Sequence, residues 1–384
     1  MLALPVSMPS FSTLPALSIA LALSACAIAP ATRGAPTHIG GLRLLGSAVL
    51  TRTESGVLRD FGGISGADFD PATGVWYLLP DDRSEHAPAR IYTARIAVGP
   101  QGIGAIDVDG IVVLRQADGS TFPSPAQAGE VPDPEALRLD PAGGGGFFWS
   151  SEGDRKRGLS PFVRQADRTG AFVADVPLPA NLRVHANEER GARDNLTIEG
   201  LAFADQGRTL WASMEAPLYE DGPVPTVDHG AFTRFTRIDG RSGSTAQYAY
   251  PVDAIPVAPS GGKRRADNGV SEILPTPSGS LLVIERSGRE IADGVFGFEI
   301  RLYEADSAGA TDVLAAPSLQ HASFAAMRKR LVLDLGTLGY VDNIEAAAWG
   351  PTLPNGHATL VLMSDDNFSS RQVTQILAYE VMPG

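Results

Sequence analysis

The stretch TIEGLAFADQGRTLWASMEAPL, Thr197 to Leu218, decides the fold. An apolar strand follows Glu199, the turn DQGR reverses the chain, and a second apolar strand runs back to end at Glu215. Runs of β-branched and aromatic residues bounded by Gly and Asp read as paired strands. Four more copies of the unit stand along the chain. They are GGISGADFD (Gly62 to Asp70) with VWYLLPDD, DPEALRLD (Asp133 to Asp140) with FFWSSEG, GVSEILPT (Gly269 to Thr276) with LLVIERSG, and NIEAAAWG (Asn343 to Gly350) with TLVLMSDD. Aligned on Ser65, Glu135, Glu199, Ser271 and Glu345, the copies are 70, 64, 72 and 74 residues apart. Sheet units that repeat at such intervals around an axis build a β-propeller, so the chain is expected to be all-β.

Each unit extends to four strands. The first adds RIYTARI and GIVVLRQ, the second PFVRQAD and AFVADVPL, the third FTRFTRID and TAQYAYPV, the fourth GFEIRLYEAD and TDVLAA. The fifth adds only TQILAYEV before the chain ends, and GLRLLGSAVL (Gly41 to Leu50) supplies its missing strand. A ring closed by pairing the N-terminal strand into the last blade leaves no bare sheet edge. Five blades are expected on this count. Six would require a blade from His321 to Tyr340, where RLVLDLGTL is the one strand-like run. Helical periodicity is weak, its best example being SLQHASFAAMRKR (Ser318 to Arg330). Polar insertions at 116–132, 183–195 and 256–268 join blades, and loops on a rigid scaffold tend to carry recognition.

At 43% hydrophobic and 20% charged, the 384 residues suit a globular protein with a large core. Some 340 residues are long for one core, but blades pack mainly on their neighbours. The net charge of −13 excludes nucleic acid as a partner, because phosphates demand a basic footprint. The first 25 residues hold no Asp, Glu, Lys or Arg and include LPALSIALALSA, followed by the chain's one cysteine, Cys26. That start reads as a signal peptide over 1–25. Leu23-Ser24-Ala25-Cys26 resembles a bacterial lipoprotein signal, with Cys26 lipidated as the first mature residue and 26–384 forming one domain. A lone cysteine forms no internal disulfide. The expected location is the periplasmic side of the outer membrane, tethered only by lipid, with a soluble periplasmic or secreted protein as the alternative. A monomer is expected.

Antiparallel pairing puts the start of each first strand beside the end of the second. Ser65, Glu135, Glu199, Ser271 and Glu345 should therefore approach Asp81 and Asp82, Glu152, Glu215, Glu285, and Asp365 and Asp366, with Glu272 nearby. So many carboxylates at one mouth of the channel stay ionised only if something positive joins them. A hard cation such as Ca²⁺, which takes six to eight oxygens, is one remedy. The expected metal set is Asp81, Asp82, Glu135, Glu152, Glu199, Glu285, Glu345, Asp365 and Asp366. Arginine is the other remedy, and the same loops hold Arg83, Arg155, Arg157 and Arg286. The alternative for any single carboxylate is to serve only as an acceptor for the next blade's backbone, and for Arg83 and Arg286 to serve only as ties between blades. The six histidines show no zinc-ligand spacing. His86 and His185 sit on loops of the same face. There is no G-x-S-x-G elbow and no phosphate-binding glycine loop.

GGISGADFDPATGVWYLLPDDR, DPEALRLD, TIEGLAFADQGRTLWASMEAPL and GVSEILPTPSGSLLVIERSG resemble the phytase-like family, described by an esterase-like activity of phytase. The resemblance runs from about Gly62 to Tyr379 and is most specific in the third and fourth copies. Ala136 and Ala346 stand where the family often has Gly. Membership implies a propeller, bacterial export, hydrolysis of phosphoric or related esters and, by analogy with propeller phytases, calcium. The expected catalytic set is Glu135, Glu199, Glu215, Arg83, Arg155 and Arg286, acting on a small anionic ester. A sugar-lactone hydrolase and a binding lipoprotein without turnover are the rival readings.

Overall fold

The structure is a computed structural model that describes residues 38–53, 55–260 and 265–384. The signal-like start and Cys26 lie outside the described residues. Strand β1 spans Ile39–Leu50. The first blade holds β2 (Ile64–Asp70), β3 (Val75–Pro80), β4 (Arg90–Gly99) and β5 (Gly102–Val113). The second holds β6 (Pro134–Leu139), β7 (Phe147–Ser151), β8 (Phe162–Ala166) and β9 (Phe172–Asp175). The third holds β10 (Ile198–Ala204), β11 (Thr209–Met214), β12 (Ala231–Asp239) and β13 (Thr245–Val252). The fourth holds β14 (Gly269–Pro275), β15 (Leu281–Ala292), β16 (Val295–Asp306) and β17 (Arg328–Asp334). The fifth holds β18 (Ile344–Gly350), β19 (Thr359–Ser364) and β20 (Thr374–Pro383), with β1 as its outer strand.

These are five four-stranded antiparallel sheets. Their innermost strands β2, β6, β10, β14 and β18 pack each against the next, and β18 returns to β2, so the ring is closed and has five blades. β1 pairs with β20 from Ile39 opposite Pro383 to Leu50 opposite Thr374. Apolar residues fill the spaces between blades. Ile344, Leu360 and Leu377 of the fifth meet Leu282, Ile284 and Leu302 of the fourth. Trp76, Leu78 and Tyr92 of the first meet Val361, Met363 and Ile376 of the fifth.

Two expectations fail in the fourth blade. Its outer strand is Arg328–Asp334, from the stretch considered for a sixth blade, and not TDVLAA. Residues 311–327 instead lie along the outer edge of the third blade. Val313 N–H donates to Gln247 O, Met327 N–H donates to Ala249 O, and the Arg234 guanidinium binds the carbonyls of Val313 and Ala316. Val313 and Leu319 bury against Ala249, so this segment covers the β13 edge. Leu319 N–H donates to Asp221 and Met327 N–H to Ala249 O of the third blade, and Arg328 to Arg330 enter β17, so Ser318 to Arg330 forms no helix. There is no α-helix among the described residues. In the first blade, β5 begins at Gly102, earlier than expected, because Gly99 and Gly102 close a tight hairpin.

An ion pair ties the innermost strands together. Arg138, on β6, reaches Glu272 of β14 at 2.7 Å. It also donates to Ala67 O of β2 (2.8 Å), Leu137 O of β6 (2.5 Å) and Ile273 O of β14 (2.9 Å). One guanidinium thus ties three blades, and Glu272 is wholly buried.

Candidate functional site

All five innermost strands carry the same irregularity. Ile64 faces Pro80 and Gly66 faces Leu79, which leaves Ser65 as an extra residue. The same one-residue bulge holds Glu199 between Ile198 and Gly200, Ser271 between Val270 and Glu272, and Glu345 between Ile344 and Ala346. In β6 the irregularity spans Glu135 and Ala136. A bulge re-aims the extra side chain and ends regular pairing. The residues aligned from sequence are therefore bulge crests.

A second set is fixed by a repeated backbone bond. Asp81 N–H donates to Gly63 O, Glu152 to Asp133 O, Glu215 to Thr197 O and Asp365 to Asn343 O, at 2.7–2.9 Å. In the fourth blade the residue in this register is Arg286, opposite Gly269. The ten positions at the mouth thus hold seven carboxylates (Glu135, Glu199, Glu345, Asp81, Glu152, Glu215, Asp365), two serines and one arginine.

Asp82, Asp366 and Glu285 are not in that set. Successive residues of an extended strand point to opposite faces, and each stands one place off the register. Asp82 is buried against Arg90 (2.6 Å) and accepts N–H groups of its own loop. Asp366 accepts the N–H groups of Gly63 and Phe368. Glu285 is bound by Tyr250, Asn268 and Lys329 between the third and fourth blades. These three build the scaffold.

The arginines divide in the same way. Arg286 sits inside the mouth. It donates to Glu215 at 2.9 Å and lies 3.5 Å from Glu345 and 3.7 Å from Asp267. Arg83 donates to Asp154 at 2.7 Å and lies 3.5 Å from Asp133, beside Glu135. Arg155 reaches outward, donating to Glu188 O and lying over Tyr219, so it braces the 183–195 insertion. Arg157 likewise donates to Pro125 O and Gln127 O.

Of the acids without an arginine, three form the tightest group. Glu135, Glu152 and Glu199 are buried, and each offers an oxygen within 4.8 Å of the others. Glu152 accepts Thr197 N–H. Among the described residues no N–H or hydroxyl donor reaches Glu135 or Glu199. Three buried carboxylates form a hard, oxygen-only donor set, which fits a hard divalent cation. Without one, burial and then mutual repulsion push Glu135 and Glu199 well above the usual carboxylate range. Burial pushes Glu152 up to about 8, and Asp133 up to about 7 although Arg83 opposes the shift. Asp81, Glu215 and Asp365 are also raised, chiefly by burial.

A dependence of stability on pH follows for the metal-free protein. Groups whose folded pKa is raised hold protons that the unfolded chain has lost, so their contribution fades as pH rises towards the folded values. The Tm of chelator-treated protein should fall between pH 5 and pH 8, by on the order of 5 °C. Calcium should flatten that slope. A metal-free Tm that rises from pH 5 to pH 8 contradicts the burial of these acids.

The strand pairings establish the fold. Among solved structures the chain is similar to an endo-arabinase from Bacteroides thetaiotaomicron VPI-5482, at 11% identity, 86% of this chain, 96% of that chain and a TM-score of 0.41. It is also similar to the PQQ-bound aldose sugar dehydrogenase from Streptomyces coelicolor, at 13% identity, 88% and 98% coverage and a TM-score of 0.35. Likeness at this level carries no argument about activity. No curated protein matches the chain. Residues 59–368 match the phytase-like family, described as esterase-like activity of phytase, and so take in four whole blades and the two inner strands of the fifth; the chain belongs to that family.

Proposed function

We propose that the chain is a metal-assisted hydrolase of phosphoric or related anionic esters, with Ca²⁺ held by Glu135, Glu152 and Glu199. The observation that carries this reading is the buried carboxylate cup, which no Lys or Arg among the described residues pairs with, whereas Arg286 pairs with Glu215 and Glu345 in the same ring. A cation bound there would neutralise the cup and polarise an ester oxygen. The Nε atoms of Arg286 and Arg83 face Glu345 and Asp133 at 3.5 Å. Both arginines are anchored by Glu215 and Asp154 and can hold anionic oxygens of the substrate without reorganising. Export as a lipoprotein through Cys26 belongs to the proposal on the sequence alone.

Glu199→Gln is the decisive variant, since it keeps the shape and removes one charge. Calcium affinity by calorimetry should fall at least about tenfold, and hydrolysis of p-nitrophenyl phosphate should fall with it. The metal-free Tm should stay the same or rise, because a crowded carboxylate is gone. A lower metal-free Tm with unchanged calcium binding makes Glu199 scaffolding. Calcium binding by the unaltered protein without turnover of p-nitrophenyl phosphate or a related ester overturns the hydrolase reading and leaves a binding protein.

A further inference from the structure

An aromatic stack stands at the edge of the mouth between the fifth and first blades. The rings of His86 and Phe368 are 4.2 Å apart and tilted by 24°. They come from different blades, His86 from the loop after β3 and Phe368 from the loop after β19. The position of Phe368 is fixed against the acid ring. A methyl group placed on Gly63 would lie 2.4 Å from the Phe368 ring and 2.2 Å from Asp81 Oδ1. Ring and carboxylate thus crowd the same point, and Asp81 Oδ1 is buried beneath it without a hydrogen-bond partner.

Local conformation is held against preference to achieve this. Six non-glycine residues among those described have positive φ, and three are Ser84 (59°), Asn367 (48°) and Phe368 (49°), in the two loops that carry the stack. A side chain in that region is strained, and two in succession are more so. Asp366 clamps the turn by accepting Phe368 N–H and Gly63 N–H. Arg52 lies 5.7 Å from the centre of the Phe368 ring. His86 is exposed, so an aromatic face supported by a second ring meets solvent beside the carboxylates. Packing alone gives no reason to hold an imidazole outward on a strained loop.

We infer that His86, backed by Phe368, is a stacking platform for a flat, unsaturated or aromatic leaving group of the ester, so that aryl esters bind in preference to small alkyl esters. This rests on the proposed hydrolase reading, and it adds the chemistry of the alcohol portion. The anionic end would point to Arg286 and Arg83 while the ring lies on His86. Aromatic pairs prefer offset stacking and gain beyond their buried area, which sets the expected preference at about tenfold.

The test titrates the calcium-loaded protein with phenylphosphonate and with methylphosphonate by calorimetry. It also follows the His86 ring signals by NMR as phenol is added. Phenylphosphonate should bind about tenfold more tightly than methylphosphonate. His86→Ala should remove the difference and leave methylphosphonate affinity and calcium affinity unchanged. Phe368→Leu keeps the apolar cover over Asp81 without an aromatic face and should reduce the preference in part. Equal affinity of the two phosphonates in the unaltered protein overturns the platform and leaves the anion site standing. If neither phosphonate binds but phenol still shifts the His86 signals, the phosphoester reading fails and the platform stands. If phenol leaves those signals unmoved as well, both fall.

Discussion

A protein lacking Ile39–Leu50 should show no cooperative unfolding transition at 25 °C or above. β1 is the outer strand of the fifth blade, and ten of its residues pair with β20. Its removal strips Ile39, Leu42, Leu45 and Leu50 from the two clusters flanking that blade. It also leaves Glu380 without Arg43, and it exposes the β20 edge from Thr374 to Pro383. The lost pairing and burial together exceed about 5 kcal/mol, which is comparable to the total stability of a domain. Circular dichroism melts of the truncated chain decide the matter. A peptide spanning residues 38–51, added in trans, should restore the transition. A truncated protein melting within a few degrees of the full chain would mean that the ring closes without β1.

Arg138→Met should cost about 3–5 kcal/mol at pH 8, because it strands a wholly buried carboxylate. The expected fall in Tm is roughly 5–10 °C for a chain of this length. The loss should be milder at pH 5. Burial raises the Glu272 carboxyl, and Arg138 gives the largest opposition to that rise, ahead of the backbone N–H of Ile273. With Arg138 gone, the folded pKa climbs further, so the stability Glu272 allows is present at low pH and lost as pH rises. Adding Glu272→Gln should remove the pH dependence and recover much of the loss. If Arg138→Met is as stable as the unaltered protein at pH 8, the pair does not hold the blades together.

The blades were legible because each inner hairpin stands alone in the sequence, with apolar strands, a turn and acidic ends. Outer strands were less so. TDVLAA and RLVLDLG carry the same strand signals, and the choice between them is made by Arg234, which binds Val313 O and Ala316 O from the third blade. The mouth was legible as a set of acids but not in its register. A bulge adds one residue to one strand, so counting along the hairpin cannot tell Glu285 from Arg286 or Asp81 from Asp82. The triplets Ile64-Ser65-Gly66, Ile198-Glu199-Gly200 and Ile344-Glu345-Ala346 held the signal, a polar residue between an apolar one and a small one. Gly66 and Gly200 stand where a larger side chain would meet the next blade's backbone, at 2.8 and 2.7 Å. The His86–Phe368 stack had no signal, because its two rings are far apart in sequence and their loops share no pattern.

The fivefold bulge also bears on how such a ring diversifies. Each crest residue is held by the backbone of its own hairpin and contributes little to the ladder on either side. Ser65 and Ser271 occupy the same seat as Glu199 and Glu345 with the same pairing around them. The ring therefore behaves as five interchangeable sockets, and one codon change at a crest rewrites the charge of the mouth while leaving the sheets intact. Selection can explore new chemistry there within one limit, that a new crest must still suit the neighbouring blade, as Ser271 does by donating to Ile344 O and Ser65 by donating to Glu345.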